Sequence, residues 1–439
     1  MLRRCKKITF AFLTLAAISS VFGKPPSYGN DEVATNLRWR SGIIRIAVSS
    51  SLLRENPNIK TDSDVTGAIK RSIATWSRVV NIELQQVTSD KVSASPAGAA
   101  GDGVSLITIA ATPENVLLFA KDPDNAAATT RVFYNRRGVI TEADIVLNPY
   151  QQFSTDGTVG TFDLESTLTH EIGHLLGLSH SFVLGSTMHS SNARNGVFGL
   201  QSFSSRTLTA NDIAAVRALY GVGDENADCC GSIEGRISFA GKQVRNVEVW
   251  VEDSTGRVQG SARAGGGEEF RFDGLSTGKY KVLAHELGRA KTALPVQELG
   301  TVTVSAGETS QVAAKASLAN RDIELSYMGF NGQLSDMAVP LTAGRSYTIY
   351  LGGRNLDPKR VSLSFSSPNL VLVPSTLRSL DYGPDLSVIS FELKVKSRTA
   401  KGEYSIFAES QRGDRRVIIG GLTVDDFPNP WQTFSGLDD

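Results

Sequence analysis

The feature that most restricts this chain is the string HEIGHLLGLSH, His170 to His180. On an α-helix, residues four apart lie on one face, so His170 and His174 present two imidazoles to a common point. Leu168 and Ile172 fall on roughly the opposite face, where they can pack the helix into a core. Gly177 stops the helix and permits the sharp turn that brings His180 round as a third nitrogen ligand. Histidine nitrogens suit zinc, and three protein ligands rather than four leave one position open, as in a catalytic rather than a structural site. Glu171, next to the first ligand, can reach that open position rather than the ion, which suits it to act as a general base. The chain has five histidines and three fall in this string, a concentration that an ordinary histidine-bearing helix leaves unexplained.

The surrounding pattern, residues 36 to 224, reads as an α+β region. A strand follows Trp39 through Ile43, Ile44, Ile46 and Val48. Val65, Ile69, Ile73, Trp76 and Val80 recur at spacings of three and four, the stripe of a half-buried helix from about Asp64 to Val80. Further strands are expected at Ser105 to Ala110, Arg131 to Tyr134 and Ala143 to Leu147, with helices over Leu164 to Leu176 and Ala210 to Tyr220. Thr209 and Asp212 have capping-box spacing before the last helix, and Gly221 can close it. After a polar linker, 221–231, the period changes to two: Val247, Val249 and Val251, then Phe270 and Phe272, then Tyr280 and Val282. Similar alternation returns at Tyr347, Ile349 and Leu351, and at Phe391, Leu393 and Val395. Two all-β sandwiches are expected, 231–318 and 319–424; between 295 and 320, Val302 and Val304 fit either the end of one or the start of the next.

The string His170 to His180 matches the HExxHxxGxxH signature of the metzincin metallopeptidases, and the residues after it resemble the matrixin branch. Ser181 comes directly after the third histidine, Met188 ends a Gly-Ser-Thr-Met turn, and a helix from Leu208 to Gly221 carries Asp212, Ile213 and Leu-Tyr-Gly; Trp76 also fits. The resemblance covers residues 36–224 and implies a twisted mixed sheet with three helices. It also implies a catalytic zinc on His170, His174 and His180, with Glu171 as base in peptide-bond hydrolysis. Met188 would form the Met-turn beneath the metal without binding it. By the same analogy, an extended protein or peptide substrate pairs with an edge strand at Ala128 to Tyr134.

The chain departs from that family in several places. Ser190 stands where matrixins usually have proline, and the segment His189 to Arg206 is longer than usual and rich in Ser, Asn and Gly; the resemblance implies that this stretch walls the pocket for the residue after the scissile bond. None of the residues between the expected cleavage site near Gly23 and the α+β region is a cysteine that could act as a latency switch, and the further ligands of a structural zinc are not evident. Asp102, Asp122, Asp124 and Asp144 are the candidates for a calcium site, although loop carboxylates are more often just solvated. His189 is expected on the rim, and His285 is given no role.

The segment Gly231 to His285 resembles the carboxypeptidase regulatory-like, transthyretin-like sandwich through Gly235, Val249, Asp253, Gly256, Phe272, Gly274, Leu275, Gly278 and Tyr280. The last region resembles a bacterial Ig-like domain on strand patterning. Either is expected to bind substrate, a glycan or a cell surface, or to serve as a spacer. The competing functional reading is a non-catalytic binding or adhesion protein that keeps the metal fold as a scaffold.

Arg3, Arg4, Lys6 and Lys7 precede an uncharged stretch from Ile8 to Phe22, and Val21 and Gly23 suit a cleavage site, so 1–23 reads as a secretory signal peptide. No later run approaches the roughly 20 apolar residues of a spanning helix. The expected location is outside the cell or in its envelope. Lys+Arg and Asp+Glu are both 45, which gives no support for a nucleic-acid partner. Beyond Cys5, only Cys229 and Cys230 remain, so no disulfide can staple distant parts of the fold; that usage looks bacterial. The adjacent pair fits a vicinal disulfide, an intermolecular link or two free thiols.

Overall fold

The structure, a computed structural model, describes residues 37–426 apart from positions 97, 99, 122, 125, 192, 201–205, 223–228, 240–243, 245, 267 and 288–289. The expected signal peptide, 1–23, and the calcium candidate Asp122 therefore lie outside the described residues.

The first region alternates strands and helices in the order β1 (Ile43–Ser49), α1 (Ser50–Leu53), α2 (Val65–Ser77), β2 (Glu83–Ser89), β3 (Ser105–Thr108), α3 (Pro113–Leu117), β4 (Ala128–Tyr134), β5 (Ile140–Leu147), β6 (Phe153–Ser154), β7 (Phe162–Asp163), α4 (Leu164–Leu175) and α5 (Ala210–Tyr220). Five strands form one sheet in the order β2-β1-β3-β5-β4. The first four run parallel, and β4 is the antiparallel terminal strand. The sheet is thus mixed, and the three long helices are α2, α4 and α5, with α1 and α3 single turns. Strand β2 carries no clear sequence signal because only Leu84 of its seven residues is buried. It is an edge strand, held by main-chain pairing of Ile43 to Glu83 through Ser49 to Ser89.

Helix α4 lies across this sheet against α2, and all but one of its residues are buried. Its start is fixed by Asp163, whose side chain accepts from Ser166 N. A polar helix in a core needs partners at every main-chain group, and indoles and hydroxyls supply several. Trp76 Nε1 donates to Thr169 O at 2.8 Å, and Ser72 Oγ donates to Glu165 O at 3.0 Å. At the C-terminal end, Trp39 Nε1 donates to Leu175 O and the Tyr220 hydroxyl to Leu176 O. Ile46, Val48, Ile69, Ile107, Ile145 and Leu168 are among the buried residues of the surrounding core.

Beyond α5 the regular elements among the described residues are all strands. One sheet pairs Val258–Arg263, Val247–Asp253, Gly278–Glu286 and Gln297–Val304; a second pairs Glu269–Leu275, Gly231–Phe239 and Thr309–Ala316. Val302 and Val304 thus sit in a strand paired with Gly278–Glu286, and Thr309–Ala316 runs parallel to Gly231–Phe239. The remainder forms a five-stranded sheet around Ser346–Arg354 and a four-stranded sheet around Gly402–Ser410. Cys229 and Cys230 are joined to each other as a vicinal disulfide.

The three regions share buried surface. Gly274, at φ +71°, lets its backbone lie against α5; a Cβ there would come within 2.4 Å of Ala214 O. Trp250, Val258 and Leu283 of the second region pack with Phe407 and Ile419 of the third and with Val183 of the first. Glu403 is buried at the same junction, and burial, reinforced by the charge of Asp212, pushes its carboxyl up to about 8. A folded-state pKa above the ordinary value of 4.5 means that unfolding releases a proton between those two pH values. This carboxyl's contribution to stability is therefore present below about pH 4.5 and lost as pH rises towards 8. Glu403→Gln should remove that slope, so melting temperatures of variant and wild type should diverge from pH 5 to pH 8 in the variant's favour. Parallel curves would contradict the assignment.

Candidate metal centre

Helix α4 carries His170 and His174 on one face, one turn apart, and the turn after it delivers His180. His174 Nε2 lies 3.1 Å from His170 Nε2 and 3.1 Å from His180 Nε2. The other ring nitrogens are committed: His170 Nδ1 is 2.7 Å from Thr187 O and His174 Nδ1 is 2.8 Å from Leu178 O. A nitrogen beside a carbonyl oxygen must carry the proton, so the Nε2 atoms of both rings are bare lone pairs. Bare lone pairs this close repel one another unless a cation lies between them. Ligands of a tetrahedral zinc with bonds of about 2.0–2.1 Å stand about 3.3 Å apart, so the spacing fits that ion. Burial, with the charge of His180, holds His170 down to about 4, and burial holds His174 well below the usual imidazole range. Both rings are therefore neutral at pH 7, as metal ligation requires. Among the described residues these three histidines are the one group of three potential ligands found.

Local backbone chemistry makes the turn. Gly177 N donates to His174 O and Leu178 N to Gly173 O, closing the helix, with Gly177 at φ +99°. A Cβ on Gly177 would lie 2.2 Å from Leu37 O, so the position excludes side chains on two grounds.

Met188 is buried under the histidines. A Cβ on Gly173 would come within 2.2 Å of Met188 Sδ and 2.9 Å of Trp76 Cζ2, so the thioether rests on bare helix backbone between the two helical ligands. The turn that holds it is tied to α5 by Asp212, which is fully buried. Its carboxylate accepts from Thr187 N at 2.9 Å, from Met188 N at 3.2 Å and from the Ser186 hydroxyl, while also capping α5 through Thr209 N at 3.0 Å. Thr187 O is the acceptor for His170. One carboxylate thus connects a helix cap, the methionine turn and a metal ligand. The capping-box spacing marks Asp212 as a cap; nothing local marks its second task.

Glu171 is buried beside the cluster, and its Oε2 accepts from Thr130 Oγ1 at 2.5 Å. Burial pushes the carboxyl up to about 7, with the Thr130 hydroxyl pulling the other way. Thr130 belongs to β4, the terminal strand; it carries no sequence signal because threonine in a strand is ordinary. His189 is half-buried and is not a member of the three-histidine group. His285 is far along the chain, paired with buried Glu248 at 3.0 Å. Asp144 accepts from Ser95 N and Leu106 N, and Asp102 pairs with Lys91. Among the described residues, Asp102, Asp124 and Asp144 do not gather into a group of three ligands.

Residues 119–221, which include every member of this site, match the Matrixin family model. Over 189 residues the chain is 28% identical to Metalloendoproteinase 1 of Glycine max, covering 42% of this chain and 53% of that protein. It is likewise 28% identical over 189 residues to Metalloendoproteinase 1-MMP of Arabidopsis thaliana, covering 42% and 44%. The chain spans about half the length of the curated relatives it matches. Among solved structures, GBS52, the minor pilin of Streptococcus agalactiae, overlaps 21% of this chain and 46% of its own at 14% identity and a TM-score of 0.17, too low to bear on the fold. Family resemblance and donor chemistry agree on zinc.

Removing the Asp212 carboxylate should loosen the turn that orients His170. Asp212→Ala is expected to weaken zinc binding about 10- to 100-fold, the usual cost of losing an outer-shell partner. Competition with a chromogenic chelator measures it, and wild-type affinity would dismiss the connection.

Proposed function

We propose that this chain is a secreted zinc-dependent endopeptidase that hydrolyses peptide bonds in proteins. The observation that carries the reading is the convergence of three imidazole nitrogens next to a buried carboxylate, Glu171, that is hydrogen-bonded but not among the ligands. His170, His174 and His180 would hold the ion, with Met188 as the floor under them. Zinc, when bound there, supplies Lewis acidity towards a carbonyl oxygen and acidifies water. Glu171 takes the proton from the attacking water and delivers it to the leaving amine. Thr130 fixes the Glu171 carboxylate on the side facing β4.

The substrate would lie extended along β4, whose outer main-chain groups offer a ladder for a further strand. Side chains contribute little to such pairing, so selectivity has to come from pockets beside the metal. The export reading of 1–23 places this activity outside the cell or in its envelope. Among the described residues no helix is long and apolar enough to cross a membrane. We further assign 36–224 to a catalytic domain, 231–318 to a carboxypeptidase regulatory-like sandwich and 319–424 to an Ig-like sandwich.

The decisive comparison is zinc content alongside chelator-sensitive cleavage of a mixed peptide library, for wild type and Glu171→Ala. The variant should keep its zinc and lose at least about 100-fold in rate, the lower end of what a positioned general base supplies. Substantial residual cleavage would refute the role of Glu171. Zinc-loaded wild type without cleavage would favour the non-catalytic binding reading instead.

A further inference from the structure

The segment after Met188 departs from the family pattern in length and in Ser190, and the structure shows where its extra residues go. Phe198 is fully buried, not in the first region's core but in that of the last β region, with its ring 6.3 Å from that of Phe330 in a T-shaped contact. Its backbone is held from both sides: Phe198 N donates to Gln333 Oε1 at 2.7 Å, and Asn331 Nδ2 donates to Phe198 O at 2.8 Å. Phe198 itself adopts φ +59°, a left-handed conformation that a bulky residue keeps only where its surroundings over-determine it.

Two more contacts secure the same stretch. Ser191 Oγ, three residues after Met188, donates to Asp336 Oδ2 at 2.5 Å. Before the methionine, Leu184 N donates to Ile419 O at 2.8 Å, beside buried Val183. On the other flank the segment is bound to the first region, with Asn195 N donating to Thr161 O and Gly160 N to Asn195 O. Described residues on both sides of Met188, namely Leu184, Ser191, Asn195 and Phe198, are therefore hydrogen-bonded to one or other of two folding units.

From this we infer that the last β region is a working part of the cleft: through Asp336 it positions residues 189–191, and through Gln333 residues 193–200, as the wall of the pocket that receives the substrate residue after the scissile bond. Gln333 and Asp336 are positioning residues, since neither belongs to the metal cluster. The role rests on the endopeptidase reading above. It gives that β region a positioning task, distinct from binding substrate, glycan or a surface directly and from spacing the chain. A wall anchored at its tip by a buried aromatic and two main-chain hydrogen bonds keeps one shape, whereas a free loop of this length would adapt to many side chains.

The test uses the full chain with Gln333→Ala, Asp336→Asn and the acceptor-preserving Gln333→Glu. Each is made at an exposed side chain, so folding is expected to survive. Two substrate series are compared, one extended after the scissile bond with varied side chains and one ending there in a small leaving group. Gln333→Ala and Asp336→Asn should raise KM for the extended series about fivefold, the size of one lost hydrogen bond, and flatten its side-chain preference. The truncated series, kcat and zinc content should stay at wild-type values, and Gln333→Glu should restore the extended series. Hydrogen exchange at the Phe198 amide should quicken in Gln333→Ala only. If wild type cleaves but Gln333→Ala and Asp336→Asn keep its KM and preference, the inference is overturned while the endopeptidase reading stands. If wild type cleaves nothing, both fall together.

Discussion

Two lone pairs fixed by proton bookkeeping and a third ring brought against them set the terms for everything around them. Carbonyls of Thr187 and Leu178 take the Nδ1 protons of His170 and His174, which leaves the Nε2 atoms bare and 3.1 Å apart across the cluster. Such an arrangement suits a cation shared by the three rings, and it is useful only if the rings cannot turn away. The carbonyls therefore have to be as well placed as the histidines. Leu178 O is placed by the helix end itself, through Gly177. Thr187 O is placed by a turn that has no regular structure to hold it, and Asp212 supplies what the turn lacks.

The same demand explains the packing of α4. A helix that carries two histidines, a glutamate and threonines into a core is polar where cores are apolar, and each polar group must find a partner. Trp76, Trp39, Tyr220 and Ser72 meet its carbonyls. Gly173 is the corresponding steric concession, because any side chain there would displace Met188 and Trp76 together. Glu171 is held off the ligand cluster by a strand hydroxyl, that of Thr130.

The β regions look separable in the sequence, yet the fold does not treat them as beads on a string. Val183 shares a core with Trp250 and Ile419, and Phe198 belongs to the core of the last region. Phe198 is thus held by side chains of the last region, while Asn195, three residues earlier, is bonded to the first. That arrangement trades the adaptability of a surface loop for a fixed outline beside the metal.

Local rules sufficed for much of this. The spacing of His170, Glu171 and His174 with Gly177, the stripe on α2, the cap at Thr209 and the period-two strands are all set by residues within a turn or two of each other. Those interactions leave their mark as spacing. Strand β2 escaped because an edge strand buries almost nothing, and Thr130 because its partner is 41 residues away. Asp212 was readable as a cap but not as the support of His170, and Phe198 looked like part of a loop rather than a buried plug. Sequence alone determined the donor set and the helix that presents it, since both follow from backbone geometry over eleven residues. Which carbonyls fix the rings, what holds Glu171 and what anchors Phe198 were decided by tertiary structure, because long-range contacts between hydrogen-bonding groups impose no period on the chain.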